Sequence, residues 1–365
     1  MKEHDLLKYL KRNPGKVIPE LAEFSHAVVI PAYDENETLP HLLENLSAVP
    51  VSEPTAVIVV VNYPSGADDN TSTELYEKLL NTELFGKIKL FPVFAPALAN
   101  GVGEARKTGF DIFCRSRNAK NADSSVIFSL DADCLIHNDY FTETLELLSQ
   151  NDCGCAAIRV AHRIPDDPVL AEAIELYEKY LFDYEENLAK CRSPYAYNAI
   201  GSGFAVKVRD YIRCGGMKLK KAGEDFYFMQ SVAKCSKIAK TSKALVYPSG
   251  RISERVPFGT GTAVRDIMKG IMPRQVTRQA FDELKKVLEI LDTPCILDDG
   301  EKFLSALPEA SAAFFRTNGF VQAWSSIISN QKPCGDKEKQ DAFHLWFDAL
   351  QTRRFLHQLS ESSNI

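Results

Sequence analysis

The sequence predicts an α/β protein whose mostly parallel, Rossmann-like sheet is flanked by helices and followed by a C-terminal helical appendage. Between residue 26 and about residue 135, short β-branched apolar runs alternate with longer amphipathic segments. Beyond residue 261 the strand patterns fade and helical patterns remain. Strands that are separated by crossover helices form parallel sheets covered on both faces, which is the basis of this prediction.

Four apolar runs in the first part of the chain predict four strands, over residues 27–30, 56–61, 88–94 and 125–130. Apolar residues three and four positions apart predict the helices between them, over residues 38–46, 73–80 and 103–114. Ligands of such sheets bind beyond the carboxyl ends of the strands. The residues directly after each run are therefore the candidate functional residues.

The second part of the chain mixes the two patterns. Further strands are predicted over 155–160, 204–208 and 244–247, and helices over 167–191, 223–235, 264–291, 303–330 and 341–359. The whole pattern predicts three parts, which are a helical lead-in over 1–25, an α/β domain over 26–261 and a helical region over 262–365.

Composition excludes several classes of protein. The 365 residues include 43 Lys and Arg against 49 Asp and Glu, a net charge of −6, which disfavours a protein that coats nucleic acid. Nine scattered cysteines indicate reduced thiols rather than a secreted disulfide framework. Neither a signal peptide nor an apolar run of about 20 residues is evident. We expect a cytoplasmic protein, with peripheral contact at the inner face of a membrane still open.

The polar residues after the first three strands have two interpretations. The first strand ends in a segment that contains Pro31, Tyr33 and Glu35, whose acids can hydrogen-bond a ribose or base, or can simply favour the start of the next helix. Asn62 opens a turn-rich loop after the second strand. After the third strand, a glycine-rich segment holds a close-approach glycine and two cations, Gly103, Arg106 and Lys107.

The strongest signal follows the fourth strand, where Asp131 and Asp133 come directly after a buried apolar run. Side chains two positions apart at a strand end point to the same face. Two carboxylates so close repel each other, and a positive charge must offset that repulsion. Mg²⁺ or Mn²⁺ can supply it, because these ions prefer oxygen ligands and bridge to substrate phosphates. A capping aspartate beside an incidental second one is the alternative. The sequence thus predicts Asp131 and Asp133 as metal ligands.

Two later segments complete the predicted site. Glu224 and Asp225 are adjacent acids at a predicted helix start, where helix capping would also explain them. Arg251 and Arg255 follow the last strand beside serine and glycine, in a loop that can grip a diphosphate or can be a solvated surface loop.

The order of these segments resembles that of family 2 nucleotide-sugar glycosyltransferases, which have the GT-A fold. The resemblance rests on residues 28–37 (VVIPAYDENE), 103–107 (GEARK), 130–133 (LDAD), 201–206 (GSGFAV) and 223–225 (GED). It covers about residues 26–261 and leaves the last hundred residues unexplained. It implies metal-dependent sugar transfer from a nucleoside diphosphate to an acceptor hydroxyl, usually with inversion at the anomeric carbon.

The resemblance also implies roles for individual residues. Glu35 would meet the nucleobase or ribose, Asp131 would touch the ribose or the metal through water, and Asp133 would ligate Mn²⁺ or Mg²⁺. Asp225, with Glu224 beside it, would act as the catalytic base. Asn62 departs from the acids that are common at its position, so the base need not be uracil. Lys107 likewise stands where asparagine is common.

The implied partners are a nucleotide-sugar donor and a glycan or lipid-linked acceptor, as in polysaccharide biosynthesis, with no nucleic acid. Three alternatives remain open at this stage. They are a retaining transferase, a sugar-phosphate nucleotidyltransferase and a catalytically silent nucleotide-sugar binding protein. The nucleotidyltransferase is the weaker of the enzymes, because the first strand is not followed by a glycine-rich basic loop.

Overall fold

The structure is a computed structural model that describes residues 1–67, 70–150, 153–220, 222–251 and 259–362. The chain forms two compact units. The first comprises Met1–Glu175 and Tyr197–Met268, and the second comprises Leu176–Ala196 and Lys269–Ile365. Among the described residues, no helix is both long enough and apolar enough to cross a membrane.

The first unit is built around one sheet. In the described residues its strands are β1 His26–Ala32, β2 Thr55–Pro64, β3 Ile88–Leu98, β4 Val126–Ser129, β5 Leu135–Ile136, β6 Cys155–Val160, β7 Phe204–Lys207 and β8 Ile238–Tyr247. They lie in the order β3-β2-β1-β4-β7-β6-β8-β5. Parallel pairing joins β3, β2, β1 and β4. The predicted α/β class is therefore confirmed.

Beyond β4 the sheet is mixed. β7 pairs antiparallel with both β4 and β6, β8 pairs parallel with β6, and the two-residue β5 closes the edge antiparallel to β8. An apolar run predicts a strand but not its direction. The sequence pattern therefore could not show where the parallel half of the sheet ends. The candidate polar residues follow β1, β2, β3 and β4, which form the parallel half, and β8, which does not.

Helices cover this sheet, and their bounds in the first unit are α1 Glu3–Arg12, α2 Leu39–Ala48, α3 Asn70–Leu80, α4 Gly101–Arg115, α5 Tyr140–Gln150, the start of α6 Pro168–Lys190, α7 Val208–Arg213, α8 Glu224–Ala233 and α9 Thr260–Met268. Every residue of β1 and the first eight residues of β2 are buried. Strands buried on both faces read as continuous apolar runs, which explains why these two were visible in the sequence.

Helix α4 packs unusually close to the sheet. It lies against β1, β2 and β3, and a Cβ atom at Gly109 would stand only 2.4 Å from Cγ1 of Val29. A side chain at this position would push the helix away from the strand. Gly109 therefore lets α4 approach closely and fixes the position of its preceding turns.

A buried polar cluster fastens the N-terminal segment to the same helix. The hydroxyl groups of Tyr9 and Tyr211 both donate to Oδ1 of Asp111, at 2.6 and 2.9 Å. Lys107 Nζ donates to Oδ2 of Asp111 at 2.5 Å and to Oδ1 of Asn13 at 2.9 Å. Asp111 thus accepts hydrogen bonds from three side chains, and one of them, Tyr9, ties α1 to α4.

The second unit is a helical assembly. Besides the latter part of α6 it contains α10 Arg278–Ile290, α11 Gly300–Ala306, α12 Glu309–Thr317, α13 Phe320–Gln331, α14 Asp336–Trp346 and α15 Ala349–Ser362. Its core is rich in aromatic rings that meet mostly at steep angles, among them Phe303, Phe315 and Phe343. Packing around this aromatic core stabilises short helices that would be only marginally stable in isolation.

The long helices predicted in this unit are interrupted. The segment 264–291 divides into α9 and α10, with Pro273 between them. The segment 303–330 divides into three helices, with Pro308 at the first break and Gly319, at φ 72°, at the second. Proline and a left-handed residue both end a helix, so these boundaries follow from local backbone chemistry.

Candidate active site

Polar residues from distant parts of the first unit meet beyond the carboxyl ends of β1 and β4. They come from the loop after β1, the loop after β4, the first turns of α4 and α8, and the segment after β8. Two arginines join them into two groups. Arg106 holds Asp131 and Glu224, and Arg251 holds Glu35 and Asp133.

Arg106 lies at the buried end of this arrangement, with 1% of its surface exposed. Its Nη1 donates to Oε1 of Glu224 at 2.5 Å and its Nη2 donates to Oδ1 of Asp131 at 2.7 Å. Since a buried guanidinium is tolerated only when opposite charges and hydrogen bonds compensate it, both carboxylates are structural requirements of the Arg106 position.

Two glycines make room for this pair. A Cβ atom at Gly201 would lie 2.7 Å from Nη2 of Arg106, and one at Gly103 would lie 2.8 Å from Cγ of Glu224. Ser129, at the end of β4, donates its hydroxyl hydrogen bond to the carbonyl of Gly201 at 2.6 Å and so fixes that loop. Gly103 was predicted from the sequence as a close-approach residue, and in the structure it approaches Glu224.

Arg251 lies closer to the surface and bridges the second group. Its Nη2 donates to both carboxylate oxygens of Glu35, at 2.5 and 2.7 Å, and its Nε donates to Oδ2 of Asp133 at 3.2 Å. The hydroxyl of Thr38 also donates a hydrogen bond to Glu35. The loop after β1 and the segment after β8 are tied together in this way across 216 residues of chain.

Sequence reasoning missed two residues that hold Asp133. Ser249 donates its hydroxyl hydrogen bond to Oδ2 of Asp133 at 2.7 Å. Arg163 Nη2 donates to the main-chain carbonyl of Asp133 at 2.8 Å. Ser249 lies two residues before Arg251 in the segment after β8, and Arg163 follows β6, so both stand where the rule that polar residues after strands matter could have found them.

The carboxylates of the site differ from ordinary ones in their proton affinity. Removal from water and the charge of Glu224 raise the pKa of Asp225 to about 6, while Arg106 opposes the rise. Desolvation also raises the pKa of Asp131, with Arg106 opposing and Asp133 adding to it. Burial alone would lower the pKa of Arg106, but the charges of Asp131 and Glu224 outweigh it and raise that pKa.

Several predicted residues stand beside these groups. Asp225 follows Glu224 in the first turn of α8, and its Oδ1 accepts a hydrogen bond from the Phe226 amide at 2.7 Å. Pro31 is buried within β1, and Tyr33 is half-buried directly after it. Asn62 is buried near the end of β2, and its Oδ1 has no hydrogen-bond partner among the described residues.

One predicted nucleotide-binding residue, Lys107, is not brought to this group. Lys107 points instead to Asp111 and Asn13, because consecutive residues of a helix face different directions and Arg106 takes the direction of the site. The geometry therefore gives Lys107 no place in ligand binding. Arg255 lies outside the described residues.

The donor atoms fit a divalent cation at the loop after β4. Oδ2 of Asp131 accepts no hydrogen bond among the described residues, and the side chain is 40% exposed. Within the same part of the chain, Oδ1 of Asp133 meets only the weak sulfur donor of Cys134 at 3.9 Å. Two hard oxygen ligands and open space suit Mg²⁺ or Mn²⁺, which complete their shells with water and phosphate oxygens.

The second unit contains another group of side chains that could bind a metal ion, but these side chains are exposed. Within the described residues, the one trio whose ligand atoms lie within 4.8 Å of one another is Cys295, Asp298 and Asp336, all exposed in the second unit. Lys339 donates to Asp298 and Lys302 donates to the carbonyl of Cys295. A metal ion bound here would have to compete with Lys339 for Asp298.

Comparison with protein-family models identifies the family of this chain. The model of the family described as glycosyl transferase family 2 matches residues 27–213, just over half of the chain. The chain belongs to glycosyltransferase family 2. Every residue held by Arg106 or Arg251, except Glu224, falls within this matched stretch.

Solved structures similar to this glycosyltransferase differ from it widely in sequence. TarS 1-349 of S. aureus in complex with UDP-GlcNAc is 13% identical, with a TM-score of 0.46 over 93% of this chain and 91% of that one. The mannosyltransferase PcManGT from Pyrobaculum calidifontis, in complex with GDP-Man and Mn²⁺, is 15% identical, with a TM-score of 0.44 over 94% of each chain. No curated protein matches the glycosyltransferase in sequence.

The buried pair predicts how an Arg106→Gln variant of this glycosyltransferase behaves. Glu224 would stay buried without its counter-charge, so we expect a loss on the order of 3 kcal/mol of unfolding free energy at pH 8. At pH 5 the neighbouring Asp131 and Asp225, whose pKa values are raised by burial, can take up protons and relieve the excess negative charge, so the loss should be smaller. Urea unfolding at the two pH values measures both quantities.

The matched control is Arg192→Gln, which removes the exposed pair between Arg192 and Asp292. It should change stability little at either pH, because exposed ion pairs contribute little. An Arg106→Gln variant as stable as the wild type at pH 8 would show that the buried pair is dispensable.

Proposed function

We propose that this glycosyltransferase transfers a sugar from a nucleoside-diphosphate donor to an acceptor hydroxyl, with inversion, and that it uses Mn²⁺ or Mg²⁺. The observation that carries the proposal is that Asp131 and Asp225 lie around the buried guanidinium of Arg106, with Asp133 close enough to Asp131 to raise its pKa. It supplies ligands for a metal and diphosphate together with a separate base.

The nucleoside would lie against the loop after β1. Pro31, Tyr33 and Glu35 line that strand end, and Asn62 lies at the neighbouring end of β2. The Asn62 amide carries both a donor and an acceptor, so this position does not require the base to be uracil. Glu35 would bind the ribose or base, as predicted from its position.

The diphosphate would lie between the loop after β4 and the segment after β8. A divalent cation on Asp133, with Asp131 beside it, would neutralise the negative charge that grows on the leaving diphosphate. Arg251 is well placed to add hydrogen bonds to the phosphates, because its side chain is about one-third exposed and already reaches Asp133. Arg255, four residues further, is assigned the same task.

Asp225 would be the catalytic base. The acceptor oxygen forms a bond to the anomeric carbon while the carbon–oxygen bond to the diphosphate breaks, and the hydroxyl proton passes to the Asp225 carboxylate. A pKa of about 6 leaves this carboxylate ionised at neutral pH yet more basic than an ordinary aspartate. A single displacement of this kind inverts the anomeric centre.

Glu224 has a different task in this proposal. Its Oε1 is held by Arg106 and its side chain is 8% exposed, so it positions the guanidinium and raises the proton affinity of Asp225 through its charge. The acceptor is proposed to be a glycan or lipid-linked molecule, handled by a cytoplasmic enzyme of polysaccharide biosynthesis that contacts a membrane at most peripherally.

Replacement of the base should separate binding from transfer. In Asp225→Asn, the turnover number should fall by about 10²–10⁴-fold, because the acceptor proton has no acceptor group in the transition state. Binding of the nucleoside diphosphate with Mn²⁺ should change less than threefold. Steady-state rates and calorimetry measure the two effects, and Asp183→Asn, at a residue whose side chain is 57% exposed, is the control. Turnover within tenfold of wild type would remove Asp225 from the role.

The activity should also depend on pH in a defined direction. Because only ionised Asp225 accepts a proton, kcat/KM should be flat above its pKa of about 6 and fall about tenfold per pH unit below it. An aspartate with an ordinary pKa would lose activity only near pH 4. A profile measured from pH 4.5 to 8 that stays flat down to pH 5 would contradict the assignment.

Removal of the metal ligand should abolish the metal dependence of donor binding. In Asp133→Asn, added Mn²⁺ should no longer tighten nucleoside-diphosphate binding, whereas wild type should gain at least tenfold. The control is Asp139→Asn, because Asp139 is an exposed aspartate that pairs with Lys243 outside the site. Equal metal dependence in wild type and Asp133→Asn would exclude Asp133 as a ligand.

A further inference from the structure

A basic cavity lies in the second unit, apart from the residues assigned above. Its volume is about 610 Å³, and it lies between α12, α15 and the segment before α10. Sites for small molecules usually measure roughly 300–1,000 Å³. Its floor includes the buried ring of Phe314, and its rim carries the charged side chains of Arg274, Arg353, Arg354 and Glu361.

The charges of the cavity are unbalanced. Arg274 forms an ion pair with Glu361 and donates to the carbonyl of His357 at 3.3 Å. Arg353 and Arg354 are exposed and have no ion pair or hydrogen bond within the described part of the chain. Two guanidinium groups therefore stand at the same concave surface without a counter-charge from those residues.

Helix α15 presents these arginines on one side. Leu350, Arg354, His357 and Glu361 recur at helical spacing along the cavity, while the buried side of the helix carries Phe355, Leu356 and Leu359. The apolar face fixes the orientation of α15 in its own unit. The orientation of the basic face toward the cavity follows from that packing.

An ordinary solvated helix face would look different. Several exposed cations elsewhere in the second unit pair with acids one helical turn away, as Lys190 does with Glu186 and Lys337 with Asp341. Arg192 and Arg316 pair with acids further away along the chain. Neither Arg353 nor Arg354 has an acidic residue three or four positions away in the sequence. Their positive charge is thus left available to a partner outside the chain.

The environment of His357 reflects the same excess of positive charge. Burial lowers its pKa, and Arg353 and Arg274 lower it further, while Glu361 alone acts in the opposite direction. The cavity consequently disfavours another cation and favours an anion. Guanidinium forks match the oxygens of phosphate in two-point hydrogen bonds.

We propose that Arg353 and Arg354, with Arg274, form a second binding site that takes a phosphate group, carried either by a soluble molecule or by a lipid headgroup. The proposal is independent of the sugar-transfer reaction, because it rests only on residues of the second unit. Phosphate chemistry is the shared requirement of both sources.

The test compares two double variants of the full chain. Arg353→Gln with Arg354→Gln removes the unpaired guanidinium groups. Arg192→Gln with Arg278→Gln removes the same charge from exposed positions of the second unit outside the cavity. Tripolyphosphate in the presence of a chelator, which disables metal-assisted phosphate binding elsewhere, is the soluble probe in calorimetry. Vesicles of phosphatidylglycerol, with phosphatidylcholine as reference, are the lipid probe in sedimentation.

We expect the cavity variant to bind at least one phosphate probe tenfold or more weakly than wild type, and the control variant to lose less than twofold. Loss with tripolyphosphate alone identifies a soluble phosphate, and loss with anionic vesicles identifies a headgroup. Equal weakening in both variants, or no binding by wild type, would overturn the proposal.

A second double variant keeps the proposal testable if the glutamine variant misfolds, which thermal unfolding would reveal. Arg353→Lys with Arg354→Lys keeps the charge but removes the two-point fork, so its affinity should also fall. If the glutamine variant does not fold, an affinity in the lysine variant equal to that of wild type would overturn the proposal.

Discussion

The guanidinium of Arg106 lies out of contact with water between a carboxylate of the loop after β4 and a carboxylate of α8. Desolvation of a charge is costly, and only close, hydrogen-bonded opposite charges offset it. Asp131 and Glu224, which are 25 and 118 residues away in sequence, are therefore held at fixed positions by one side chain. The loop after β4 and helix α8, to which we assign the metal ligands and the base, share this anchor.

Arg251 uses the same chemistry in a different setting. Its pairs with Glu35 and Asp133 are more open to water than those of Arg106, because 35% of the Arg251 side chain is exposed. Water can reach this guanidinium, so Arg251 can exchange a carboxylate for a phosphate contact at less cost than the enclosed Arg106 can. One arginine thus fixes the framework of the site, and the other is available to the ligand.

Much of this arrangement was predictable from the sequence, and the reasons are physical. Asp131 and Asp133 were found because β4 is apolar and buried, and the end of a buried strand is easily seen. The pairing of Arg251 with Glu35 was not predictable, because contacts across 216 residues leave no local pattern. Only the last four residues of β8 were predicted, since the six before them include exposed Lys240 and Lys243. The direction of Lys107 could have been inferred from helix geometry alone.

The central claim is that the carboxylates of the loop after β4 hold a metal–diphosphate complex, and diffraction tests it most directly. Crystals grown with Mn²⁺ and a nucleoside diphosphate would give an anomalous signal at the bound ion. The account predicts a peak about 2.1 Å from a carboxylate oxygen of Asp133, with Asp131 beside it. A peak only at the exposed trio of Cys295, Asp298 and Asp336, or none at the loop after β4, would contradict it.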